Sequence, residues 1–222
     1  MNTIARRIAA LVVALALAVT TAGCANTPTA TPTTDVADSQ AALDAINNAS
    51  EITATKSLFS WGDEWTIAAD GEQVGTVTGQ AVYTIGDVYS LTTTSGNLVA
   101  SETEELSAIT HTATLYDWDN QETGRLEERF VALTPTVDII HTDANGSDNI
   151  TGTATTVFAS LTQQITIADN TGAEAWNTER HAFTLRTTIT ITRNNAGGTV
   201  TGIDALMVTL MMSEIYDGAI NK

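Results

Sequence analysis

A glycine, or a residue that can stand in for one, returns about every 25 residues along most of this chain. The stations are Asp70-Gly71, Ser95-Gly96, Asn120-Gln121, Asn145-Gly146, Thr171-Gly172 and Asn194-Asn195-Ala196-Gly197-Gly198. Each lies between two short runs rich in Thr, Val, Ile and Leu, so each period reads as one β-hairpin. Six hairpins make twelve strands.

The runs alternate with period 2. In Phe183–Thr192 the odd positions are mainly apolar and the even ones polar, and the same pattern marks Ile109–Leu115 and Leu161–Ile167. Outward Thr suits a strand because its β-branch stiffens χ1 while its hydroxyl stays wet. Twelve antiparallel strands with one apolar face must form two layers or close on themselves. The segment Ala205–Met212 favours closure. It breaks the alternation and is apolar on nearly every side, with Asp204 placed to cap its start. At 1.5 Å per residue, a helix over 204–216 would be about 20 Å long, too short for a bilayer but close to the height of a barrel. The expected fold is therefore mainly β: a closed antiparallel barrel of about twelve strands around a buried C-terminal helix.

Ahead of the barrel the chain changes character twice. Arg6-Arg7, a twelve-residue apolar run over Ile8–Val19 and the small residues Thr21-Ala22-Gly23 before Cys24 read as a leader over 1–23. Its end resembles the lipobox of bacterial lipoproteins, although Thr21 stands where that pattern usually has Leu. The resemblance implies cleavage and a lipid such as palmitate at Cys24, and hence a domain anchored on the extracytoplasmic face of the cell membrane. An ordinary secretory signal is the alternative. Residues 24–38, rich in Thr and Pro, form a tether that cannot build a core. Residues 39–52 contain a short helical lead-in over Gln40–Asn48, and 53–222 are the barrel.

Composition limits the chemistry. Nine basic residues face 26 acidic ones for a net charge of −17, which disfavours nucleic acid as a partner. Cys24 is the single cysteine, so the folded domain has no thiol chemistry.

The order of six hairpins and a terminal apolar helix resembles the tubby-like barrel superfamily, which includes tubby domains, LURP-one-related proteins and phospholipid scramblases. Trp65–Gln80, with its Asp70-Gly71 turn, and Val88–Val99 are similar to the first hairpins of the LURP-one-related branch. The likeness covers about residues 53–217. It implies fold more than activity. Tubby domains bind phosphoinositides through a basic patch, but Arg125, Arg129, Arg180, Arg186 and Arg193 are scattered here and the only lysines are Lys56 and Lys222, so phosphoinositide binding is disfavoured. Scramblases carry a cysteine-rich segment that this domain lacks.

Candidate sites are sparse. His111, His141 and His181 lie 30 and 40 residues apart, without the close spacing of a metal site, and read as core or rim residues. Asp117, Asp119 and Glu122, and separately Asp143 and Asp148, gather oxygens as calcium loops do, but they lack the twelve-residue loop ending in Glu and read equally as hairpin tips. The runs Glu102-Thr103-Glu104-Glu105 and Glu127-Glu128 make poor acid/base pairs, since neighbouring strand residues face opposite ways. Trp61, Trp65, Trp118 and Trp176 sit near strand or turn ends, suited to closing the barrel or touching a ligand. No nucleophile elbow, phosphate loop or dinucleotide fingerprint occurs. The expectation is a non-catalytic, cofactor-free lipoprotein that binds an envelope component or protein partner through hairpin loops. The alternatives are a lipid-handling, scramblase-like protein using an apolar barrel interior, with Met207, Met211 and Met212 on a mobile helix, and a metal-dependent or hydrolytic enzyme.

Overall fold

Alternation and turn chemistry lead to one closed sheet. The computed structural model describes residues 35–57, 63–82, 86–106, 110–129, 134–159, 162–181 and 187–220, with side chains except at 81, 82, 86, 106, 157–159, 162, 181 and 214–220. Helix α1 spans Val36–Asn48. Twelve strands follow: β1 Glu51–Lys56, β2 Asp63–Ala69, β3 Glu72–Val82, β4 Gly86–Thr93, β5 Leu98–Leu106, β6 His111–Asp117, β7 Glu122–Arg129, β8 Thr136–Thr142, β9 Asp148–Ala159, β10 Thr162–Asp169, β11 Glu174–His181 and β12 Thr188–Arg193. Helix α2, Gly202–Ile220, ends the described chain. Each strand pairs antiparallel with its sequence neighbours, and β1 pairs with β12, from Glu51↔Thr192 to Thr55↔Thr188, to close the barrel. Closure leaves no edge for another chain to extend.

Inward residues such as Ile52, Ile67, Leu126, Ile139, Ile165 and Ile189 are at most 2% exposed. They face α2, whose residues Asp204–Ser213 are all buried. A helix covered on every side needs core on every side, and the lumen supplies it. The helix is longer than the 204–216 expected. Its first turn is a capping box, in which the Thr201 Oγ1 accepts from the Asp204 N–H at 3.3 Å and the Asp204 Oδ2 accepts from the Thr201 N–H at 3.0 Å. Thr201 is therefore the N-cap, and Asp204, expected there, is its reciprocal partner.

The lead-in helix is a structural member of the fold. It begins at Val36, earlier than expected, and β1 already starts at Glu51. Ser39 Oγ donates to the Leu98 carbonyl at 2.6 Å, while Asp38 Oδ2 accepts from Asn97 Nδ2 at 2.7 Å. At the other end Asn47 Oδ1 accepts from the Ile203 N–H at 3.0 Å, and Arg193 donates to the Asn47 carbonyl while its guanidinium stacks 4.4 Å from the ring centre of Trp176. So α1 lies across the barrel end that carries the glycine turns, with Ile46 fully buried beneath it.

Candidate functional site

Four of the six glycine stations share one internal hydrogen-bond pattern. Asp117 Oδ1 accepts from the N–H groups of Asp119 at 2.8 Å and Gln121 at 2.9 Å. Asp143 does the same for Asn145 and Ser147, and Asp169 for Thr171 and Ala173. In the β4–β5 turn the Thr93 hydroxyl replaces the carboxylate, accepting from Ser95 and Asn97 at 3.2 Å. Three residues after each acceptor comes a residue with positive φ: Gly96, Asn120, Gly146 and Gly172. Asn120, at φ 58°, occupies the position that glycine holds in the other three. These N–H groups hold the Asp143 and Asp169 carboxyls below the usual carboxylate range, those of Ser147 leading for Asp143 and the hydroxyl of Thr171 for Asp169.

That geometry accounts for part of the oxygen-rich turns. Asp117 and Asp143 direct a carboxylate oxygen into their own backbone, and Asp148 binds the Thr142 hydroxyl and the Arg125 guanidinium, which hold its carboxyl low in that order. Asp119 and Glu122 are exposed. Among the described residues no three His, Cys, Asp or Glu side chains are grouped so as to hold a metal ion.

The histidines are set apart by the topology. His111 opens β6 at the end away from the glycine turns, and His181 ends β11 at that same end, five strands round the barrel. His141 lies near the turn end of β8. Its Nε2 meets Asp204 Oδ1 at 3.0 Å, and this bond, followed by the Asp204 charge and the Thr123 carbonyl, raises its pKa despite burial. His141 thus ties β8 to the capping box of α2. Beside it lies a cavity of about 150 Å³, lined by Leu43, Val99, Leu115, Ile203 and Met207 with His141 and Asp204 at one corner. It is smaller than the ~300 Å³ at which organic-ligand pockets begin.

A larger concavity, about 530 Å³, runs along the outside of α1 against the ends of β2–β4. Its walls include Ala41, Ala42 and Ala45 of α1 and Asp38, Asp70 and Glu72. Short side chains on the helix leave the groove open, and the carboxylates give it negative charge. Its walls are fixed: Asp70 Oδ1 accepts from the N–H groups of Ser50 and Glu51, at 2.9 and 3.0 Å.

The opposite end of the lumen carries buried carboxyl groups. On β5, Glu102 is opposite Tyr89 on β4 and Leu115 on β6, both buried, so it points inward, and Glu104 does the same one pleat further on. Glu102 is 0% exposed and neither of its carboxylate oxygens has a hydrogen-bond partner among the described residues. Burial, reinforced by Glu104, pushes its pKa well above the ordinary value. Burial, then the charge of Asp87, pushes Glu104 up to about 7. Asp87 is raised by burial and by Asp63, which is ion-paired with Lys56. Adjacent glutamates on a strand do face opposite ways, as Glu104 and Glu105 show. The i, i+2 spacing of Glu102 and Glu104 was the signal that they share a face, and burial of Tyr89 and Leu115 decides that the face is the lumen.

Of the tryptophans, Trp65 and Trp176 are core residues, Trp176 donating its indole N–H to the Val200 carbonyl at 3.1 Å; Trp118 is in the β6–β7 turn and Trp61 lies outside the described residues. Cys24 also lies outside them. Compared with known proteins, the chain matches no family model, no curated protein and no solved structure.

Proposed function

We propose that this is a lipid-anchored extracytoplasmic lipoprotein whose tubby-like barrel is a non-catalytic scaffold, binding an envelope component or protein partner through its hairpin turns. The observation that carries the reading is the contrast between a packed interior and a formed outer groove. The stretch Asp204–Ser213 of α2 is buried in the lumen, and the cavity beside its first turns, at the α1 end, is too small for an organic substrate. The groove along α1 is wider, is walled by turns with their own hydrogen bonds, and bears Asp38, Asp70 and Glu72. An acidic, small-residue groove suits a partner segment that is basic or neutral and narrow in cross-section. The clamp on α2, made by Thr201, His141 and Asn47, weighs against a helix that leaves the barrel to handle lipid.

The test is capture of partners from envelope fractions with the full chain and with Ala41→Arg and Glu72→Lys variants. Loss of the same captured species from both variants, with the melting temperature kept, supports the reading. Capture unchanged by both would overturn the groove as the binding surface.

A further inference from the structure

The lumen end opposite α1 has two kinds of acidic neighbourhood. On one side Lys56 lies over the ring of Trp65, 5.3 Å from its centre, and pairs with Asp63. The chain thus places a primary ammonium group between a carboxylate and an aromatic face. Next to it round the barrel, across Gly79 from Asp63, stand Tyr89 with Asp87, Glu102 and Glu104, a similar carboxylate and aromatic set that holds no lysine among the described residues. Glu102 is buried with both oxygens unpartnered among the described residues, a costly arrangement for a carboxylate unless a cation or proton accompanies it. The Tyr89 ring also crosses β3 at Gly79, where a Cβ would come within 2.5 Å of Tyr89 Cε1, so a side chain there would displace the ring.

We propose that Asp87, Glu102 and Glu104, beside Tyr89, form a site for a primary ammonium group, supplied by a small alkylamine or by a lysine side chain of a partner. Asp87 and Glu104 form the outer layer, one step beyond the Val88↔Thr103 pair. Glu102 and Tyr89 form the inner one. Layers two residues apart on a strand are separated by about 7 Å, comparable to the spacing of the two nitrogens in a short diamine. An ammonium suits the geometry better than a metal ion, because no three of these groups are arranged as ligands around one point. The negative end of the α2 dipole is directed to the same end of the barrel and adds attraction for a cation. Because burial favours the protonated glutamates, binding releases protons, and affinity increases from pH 5.5 to pH 8.

The experiment is isothermal titration of the full chain in non-ionic detergent with 1,4-diaminobutane, n-butylamine, a lysine-containing peptide, 1-butanol and calcium. Each titration is run in two buffers of different ionisation enthalpy. The expected result is binding of the amines with proton release, the diamine tighter than the monoamine by several-fold, and no binding of 1-butanol. Glu102→Gln and Glu104→Gln each reduce affinity at least tenfold, whereas Glu105→Gln, on the outer face of the same strand, leaves it unchanged. Nuclear Overhauser contacts between amine methylenes and the Tyr89 ring supply a readout in the unsubstituted protein. A tighter diamine than peptide assigns the site to free amines, and the reverse to a lysine side chain. No amine binding, equal binding of 1-butanol, calcium binding that excludes the amines, or unchanged affinity in both Gln variants would each overturn the proposal.

Discussion

Glu104 is a single residue whose protonation shifts the stability of the whole fold. Its folded pKa is about 7 against an ordinary 4.5, because the lumen withholds water and Asp87 repels its charge. Between those two values the folded chain holds a proton that the unfolded chain has lost. Stability therefore falls as the pH rises through the window from 4.5 to 7, and below 4.5 this cost vanishes. Glu104→Gln removes it: the variant is expected to gain on the order of 3 kcal/mol over the parent at pH 8 and almost nothing at pH 4.5, read by chemical denaturation at both pH values. His141 slopes the same way for another reason. Its raised pKa gives a contribution that is complete below 6.5 and is lost as the pH rises through its folded value. Some of the residue-scale detail was legible. The glycine positions are visible in the chain, but the acceptors Thr93, Asp117, Asp143 and Asp169 become a set only when their side chains are seen on N–H groups two and four residues ahead. Asx and Ser/Thr turns use common residues, so composition alone does not separate them from surface acids.

At the scale of elements, the two helices differ in how plainly they were written. Helix α2 announces itself by losing the two-residue period and staying apolar around its circumference. Helix α1 does not, because its buried side is three small or medium residues, Ser39, Ala42 and Ile46, among charged and amide groups. Its importance lies in what it touches. Gly202, the first residue of α2, packs so closely on α1 that a Cβ there would overlap the Ile46 carbonyl. Backbone cannot retreat as a flexible side chain can, so Gly202→Ala is expected to separate the helices and cost about 2 kcal/mol or more. The check is a fall in denaturation midpoint together with faster hydrogen exchange of α1 amides. Unchanged exchange in α1 would mean that the junction does not hold that helix down.

At the scale of the molecule, closure fixes which end of the barrel the proposed anchor would hold. Helix α1 lies across the turn end, so an anchor at Cys24, if it is lipidated as proposed, would draw on the barrel from that end. The eleven residues 25–35 reach at most about 40 Å when extended. The anchored barrel would then present its turn end and the α1 groove toward the membrane and its acidic lumen end outward. Cys24→Ala is expected to move the protein from the detergent-rich to the aqueous phase on phase partitioning, with the melting temperature of the barrel unchanged. Retention in the detergent phase would show that the attachment does not depend on that residue.

What the sequence determined by itself was the list of parts and their order: twelve strands, a tail helix apolar on every side, and a charge that repels phosphate; of the six expected hairpin turns only five join strands, since Asn194–Gly198 follows β12 and leads into α2 while β12 closes on β1. Those properties are local, since periodicity, turn residues and composition act over a few neighbouring positions. Tertiary structure alone decided which surface each part met. It placed α1 across the turn end, set His141 against Asp204 although 63 residues separate them, and turned Glu102 and Glu104 inward. Alternation assigns residues to two faces but cannot name the buried one for a polar pair. That choice came from closing β1 onto β12, which made one face of every strand an interior and left two glutamates inside it.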